Sequence, residues 1–189
     1  MKSLPLLFSL ALGAMLAGLT GGADARVRNV TDPDAPRSLP ADDSTVSVDW
    51  TDPAGFTELR FSGNRWESQR GNWVNDLAEH LRGSAERQLQ PGQRLDVTIT
   101  DIQRAGSFEP QRPASMDSVR ILRDIYPPRV TLNFKLTDAN GTVQSEGERR
   151  LVNPGFLSSS SIGDSDPLRH EKRLLDDWTR REFRTTQTH

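Results

Sequence analysis

Three runs of strict alternation constrain the fold more than any other feature of the chain. Val46, Val48 and Trp50 alternate with Thr45, Ser47 and Asp49; Leu95, Val97 and Ile99 with Asp96, Thr98 and Thr100; Val130, Leu132, Phe134 and Leu136 with Thr131, Asn133, Lys135 and Thr137. Successive side chains of a strand point to opposite faces, so this period means strands with one buried and one wet face. Such strands require a sheet covered on one side. Val143 onward reads as a fourth strand, returning through Asp138-Ala139-Asn140-Gly141, because Asn-Gly is a favoured hairpin pair. Its Glu146, Gly147 and Glu148 make it a polar edge strand.

The cover is helical. Trp66, Trp73, Leu77 and Leu81 share one helical face, widened by Val74, Ala78 and Ala85, and Gly71 places the regular part from about Asn72. Asp166-Pro167 reads as an N-cap followed by proline at the first helical position, and Leu168, Leu174, Leu175, Trp178 and Phe183 form the apolar side of a second helix. Spacing of four predicts the pairs Lys172/Asp176, Asp176/Arg180 and Asp177/Arg181. Between these elements, Phe56, Leu59 and Phe61 are expected to cover one edge of the core in an irregular connection. Residues 106–116 form a loop, and 119–122 a short extended piece. The expected architecture is α+β: a mostly antiparallel sheet of about four strands packed against two helices. The short loop after the first helix also allows a strand–helix–strand crossover.

Lys2, the apolar run Leu4–Leu19 and the small residues of Ala23-Asp24-Ala25 predict a signal peptide over 1–25, cut before Arg26. The run carries Gly13 and Gly18 and is shorter than the ~20 unbroken apolar residues of a spanning helix. Residues 26–44, with Pro33, Pro36 and Pro40 and no hydrophobic period, read as a flexible arm. A single domain is expected over 45–184 and a frayed tail over 185–189. In a double-membrane bacterium, export implies a periplasmic protein.

Composition removes several functions. The net charge of -2 weakens any case for nucleic-acid binding, even with Arg120, Arg123 and Arg129 close together. With no cysteine, there is no disulfide, thiolate metal site, cysteine nucleophile or lipidated cysteine anchor. His80, His170 and His189 form no close pair, and no Ca²⁺ or phosphate loop is present. His80 reads as a boundary residue. No Gly-x-Ser-x-Gly elbow is present, and Ser158–Ser161 reads as linker.

The enzyme reading with most support is acid–base chemistry. Asp101, Glu109 and Asp124 bracket two loops near strand ends, and two carboxylates a few ångströms apart divide acid and base roles in glycoside hydrolysis. The competing reading makes them turn caps or partners of Arg104, Arg112 and Arg123. Trp50, Trp66, Trp73 and Trp178 are expected in the core. A partner or ligand groove near 101–129 fits the residues better than a nucleic-acid surface; Pro127-Pro128 reads as a structural turn, with the orienting of Tyr126 and Arg129 as the competing reading.

Three strings carry a family resemblance: Leu95-Asp96-Val97-Thr98-Ile99-Thr100-Asp101-Ile102 with Ala105-Gly106 and Phe108-Glu109-Pro110; Arg120 through Arg129; and Asp166 through Trp178 with Arg181-Glu182-Phe183. Over about 45–184 the chain resembles the DUF3016 family of exported bacterial proteins of unknown function. The resemblance implies an envelope location and supplies no catalytic, cofactor or metal residue to carry over. Relatives tend to have tyrosine near the position of His170, which argues against an indispensable proton-transfer role there.

The resulting expectation is a soluble envelope accessory or binding protein without intrinsic catalysis. It has no cofactor or stable membrane anchor, and its partner is an envelope protein or a small-molecule ligand. The alternative is a small periplasmic hydrolase, which requires two or more of Asp101, Glu109, Asp124 and His170 to converge in a concave site.

Overall fold

The computed structural model describes residues 29–39, 44–109, 116–158 and 165–183. The predicted signal peptide of residues 1–25, the expected tail after 184 and most of the serine run lie outside them. The three alternating runs become β1 (Val46–Trp50), β2 (Arg94–Gln103) and β5 (Arg129–Thr137), and the polar return becomes β6 (Val143–Val152). They form one open sheet in the order β1-β2-β5-β6. β2–β5 and β5–β6 are antiparallel, whereas β1 lies parallel to β2 with Val46 opposite Leu95. That parallel pair is the crossover that the sequence allows. The fold is α+β with a mixed, mostly antiparallel sheet.

Two long helices cover one face. They are α3 (Trp73–Glu86) and α4 (Arg169–Phe183), numbered after the short α1 (Thr57–Arg60) and α2 (Arg65–Gln69). The inward residues of β1, β2 and β5 and the stripes of both helices make one core. Phe134, Trp178 and Phe183 meet edge-to-face with centroids 5.4–5.9 Å apart, the preferred aromatic geometry. Polar groups fix the helices against each other. Asp176 accepts from Ser84 Oγ at 2.6 Å and lies 2.9 Å from His80 Nε2, while Ser84 Oγ is 2.9 Å from Thr179 Oγ1. His80 is thus a half-buried boundary residue.

Several expectations change. Asp176 bonds across to α3 rather than along α4, Lys172 reaches back 2.6 Å to Asp166, and Arg180 pairs with Asp177. The segment read as a flexible arm packs on the domain over 29–39. Val30 and Leu39 are buried in the core, and Leu39 N–H donates to Val48 O while Trp50 N–H donates to Arg37 O. These bonds occupy the outer edge of β1. Trp66 is 64% exposed, because Gly71 at φ 84 separates α2 from α3 and breaks the periodicity that joined it to Trp73. Phe61 is 72% exposed, while Phe56 and Leu59 are buried as expected. No helix among the described residues is long and apolar enough to cross a membrane.

Candidate functional site

The site begins with an irregularity in β2. The register shifts between Ile99 and Asp101, so Ile102 becomes buried although it breaks the earlier parity. Asp101 turns to α1, where its carboxylate accepts from Thr57 N–H at 2.6 Å and Thr57 Oγ1 at 2.7 Å. The bulge therefore anchors α1 beside the end of β2.

Just beyond, the turn at 104–106 hangs from carboxylates on two helices. Arg104 N–H donates to Glu58 Oε2 of α1 at 2.9 Å, and Ala105 N–H to Glu171 Oε1 of α4 at 2.6 Å. Gly106 N–H donates to Tyr126 O at 3.0 Å. Gly106 has φ +79, and a Cβ there would lie 2.7 Å from Ile121 O and 2.8 Å from Leu122 Cδ2, so glycine is required on both counts. The chain then forms a two-stranded ribbon, β3 (Ser107–Phe108) with β4 (Arg120–Ile121).

Arg120 connects the ribbon to this support. Its guanidinium bonds Glu58 Oε1, donates to Gly106 O at 3.2 Å, and stacks 4.6 Å from the Phe108 ring centroid. Ser68 Oγ also donates to Glu58 Oε1, at 2.9 Å. Burial drives the Glu171 carboxyl above its usual range, opposed by the Ala105 N–H and by Arg104. Burial, followed by repulsion from Arg120, lowers Arg104 from its ordinary value.

Between α1 and the ribbon lies a small cleft with about 40 Å³ of room for the centres of water-sized molecules, lined by Glu58, Phe61, Ser62, Gln103, Ser107 and Arg120 among others. It admits a few waters and is too small for a sugar ring. Phe61 lines this cleft, and exposed apolar side chains recur on the segments beside it. Phe61, Trp66, Val119, Leu122 and Ile125 are five of the eight large apolar side chains that stand exposed among the described residues. Two contacts bring their segments together: Asn64 Nδ2 donates to Asp117 O at 3.0 Å, and Arg120 bonds Glu58.

The four residues proposed for hydrolysis take other roles, and none lines this cleft. Asp101 caps α1. Glu109 pairs with Arg123 at 3.1 Å and accepts from Tyr126 Oη at 3.5 Å. Asp124 accepts from Ile125 N–H at 2.9 Å. His170 is buried on α4 with its ring edge-to-face against Phe156, centroids 4.9 Å apart. Among the described residues, no group of three His, Cys, Asp or Glu side chains is placed to hold a metal.

Sequence reasoning missed Glu58 and Glu171. The signal for Glu171 is its position: three residues after Leu168 and four before Leu175, it puts a charge on the apolar stripe of α4. Glu58 likewise lies between Phe56 and Leu59.

A family model described as "Protein of unknown function (DUF3016)" matches residues 44–181. The chain belongs to the DUF3016 family. The match spans all of β1 through β6 and most of α4, and so includes the suspended turn, the ribbon and the cleft. Comparison with curated proteins finds no match, and neither does comparison with solved structures. The DUF3016 assignment brings no substrate, cofactor or catalytic residue to this site.

Proposed function

We propose that this DUF3016 protein is a non-catalytic accessory or binding protein of the bacterial envelope, and that it meets its partner at the end of the domain formed by α1, α2 and the β3–β4 ribbon. The observation that carries this reading is that five of the eight exposed large apolar side chains among the described residues fall on α1, α2 and residues 119–125, segments held together by Asn64–Asp117 and Glu58–Arg120. Apolar residues scattered singly over a surface need no explanation, but grouped ones mark interaction sites. Beneath them, two buried carboxylates and a half-buried guanidinium hold one turn rigid, which suits a surface that must keep its shape. The acids that a hydrolase would use are engaged in capping and pairing.

The envelope location rests on the signal-peptide pattern of residues 1–25 and on the resemblance to exported proteins. Mass measurement of the accumulated protein should give a chain beginning at Arg26. The binding surface is tested with a photo-crosslinking amino acid placed at Ile125 or, as control, at Lys135 on the open face of the sheet. A discrete adduct from 125 and none from 135 supports the reading. Equal labelling from both positions, or none from either, refutes it.

A further inference from the structure

The two most exposed aromatic residues share a local pattern. Each follows an arginine: Arg60-Phe61 closes α1, and Arg65-Trp66 opens α2. All four side chains are exposed. The Arg60 guanidinium lies 5.2 Å from the Phe61 ring centroid, and neither arginine has a carboxylate partner among the described residues. The intervening turn is stiff. Ser62 Oγ lies 2.6 Å from Ser68 Oγ, Asn64 caps α2 through Glu67 N–H at 3.2 Å, and Ser68 is fixed to Glu58.

We infer that this α1–α2 turn is a peripheral docking surface for an anionic phospholipid bilayer, with Phe61 and Trp66 entering the headgroup–acyl boundary and Arg60 and Arg65 meeting lipid phosphates. This deepens the reading above, on which it rests, by naming the class of partner. Shape favours lipid over a protein groove: the rings stand 72% and 64% exposed at the end of α1 and the start of α2. The cleft beside Phe61 is small and polar and contains the Glu58 carboxylate, so it neither receives an apolar anchor nor attracts a phosphate. A soft, fluid surface accommodates protruding rings without a matching cavity, and aromatic residues next to basic ones suit its interface. Charge favours an anionic surface at Arg60 and Arg65. Arg70 is balanced by Glu67, Arg120 by Glu58 and Arg123 by Glu109. Exposed Asp117 and Asp124 on the neighbouring segment oppose it, so attraction is modest and the rings supply much of the affinity.

The test uses protein purified in the form that accumulates in the producing cells, floated with phosphatidylglycerol–phosphatidylethanolamine vesicles or with phosphatidylcholine vesicles. Wild type is expected to float with the anionic vesicles and to bind the neutral ones several-fold more weakly. Arg60→Glu/Arg65→Glu should weaken anionic binding by at least about tenfold, since each arginine near such a surface contributes on the order of 1 kcal/mol. Phe61→Ser/Trp66→Ser should reduce binding to both vesicle types, with an unchanged melting temperature showing that the fold persists. Absence of flotation, or binding unaffected by both double variants, overturns the inference. A discrete protein adduct from position 125 together with no vesicle binding would sink the lipid assignment while leaving the binding-protein reading intact.

Discussion

Glu58 is the residue on which the site's construction can be tested most sharply. It is 5% exposed and accepts hydrogen bonds from Arg104 N–H, Ser68 Oγ and the Arg120 guanidinium. Glu58→Ala removes all three at once, leaving a mostly buried cation without its counter-ion and a backbone donor without an acceptor. Breaking a buried pair from one side costs about 3–5 kcal/mol, mostly from the charge left behind. With unfolding entropy near 2.1 cal/mol/K per residue and roughly 140 ordered residues, each kcal/mol shifts the melting temperature by about 3 °C. The expected fall is therefore about 10–15 °C by circular dichroism at neutral pH. Glu58→Met/Arg120→Met removes both charges together and should recover at least half of that loss, because apolar replacement of a whole buried pair is often neutral. Arg150→Ala, which breaks the exposed pair with Glu148, should move the midpoint by less than about 2 °C. A Glu58→Ala midpoint within about 3 °C of wild type, or a double variant as unstable as the single one, would refute the account of the turn as suspended from a buried ion pair.

Glu171→Gln tests the second support through pH. Because its folded-state pKa is raised, Glu171 favours the native state fully below the unfolded value near 4.5, and that contribution is lost as pH rises through the folded value. Wild type should thus gain a stability increment on going from pH 7 toward 5 that Glu171→Gln lacks, and superimposable melting profiles would contradict this. Glu182 behaves oppositely. Its hydrogen bond from Arg149 lowers its pKa, so its contribution is present above the unfolded value and disappears as pH falls through the folded one; Arg149→Met should flatten the acid limb of the stability curve. Gly106→Ala adds a Cβ at 2.7 Å from a carbonyl at positive φ and should cost about 2–4 kcal/mol by urea unfolding, against a few tenths if the turn can relax. Trp66→Ser should leave the urea midpoint unchanged, while Trp73→Ala, at a site 4% exposed, should cost about 3–5 kcal/mol; equal effects would place Trp66 in the core after all.

The core was legible because it rests on periodicity. Val46, Leu95, Leu132, Leu77 and Leu175 all lie where a period of two or 3.6 puts them, and all are buried. Reading failed where backbone geometry interrupts the period. Gly71 splits a stripe that runs unbroken in the sequence from Trp66 to Leu81, and the bulge before Asp101 shifts the phase of β2. The arm at 29–39 was read from its prolines and charges, yet it needs only Val30 and Leu39 to gain a place in the core, a signal too sparse to carry a period. The site was half legible. Arg120 and the 101–129 region were singled out, but their supports come from Glu58 and Glu171, 62 and 66 residues distant from the groups they hold. Composition and spacing carry no trace of pairing over such separations.

The attachment of the arm to β1 has a consequence for the order in which the molecule is completed. Residues 37–39 bond β1 over short separations, Leu39 to Val48 and Trp50 to Arg37, whereas β1 itself waits for β2 across a sequence separation of 49 residues at Ser47–Asp96. Val30 likewise waits for Gln69 at the end of α2. β2, β5 and β6, by contrast, form a continuous meander whose last two strands are joined by a tight turn. Contacts of long sequence separation carry the larger closure entropy. The local pairing of the arm with β1 therefore precedes the docking of β1 on β2, and β1 joins the sheet with its outer edge already covered against strands from other copies.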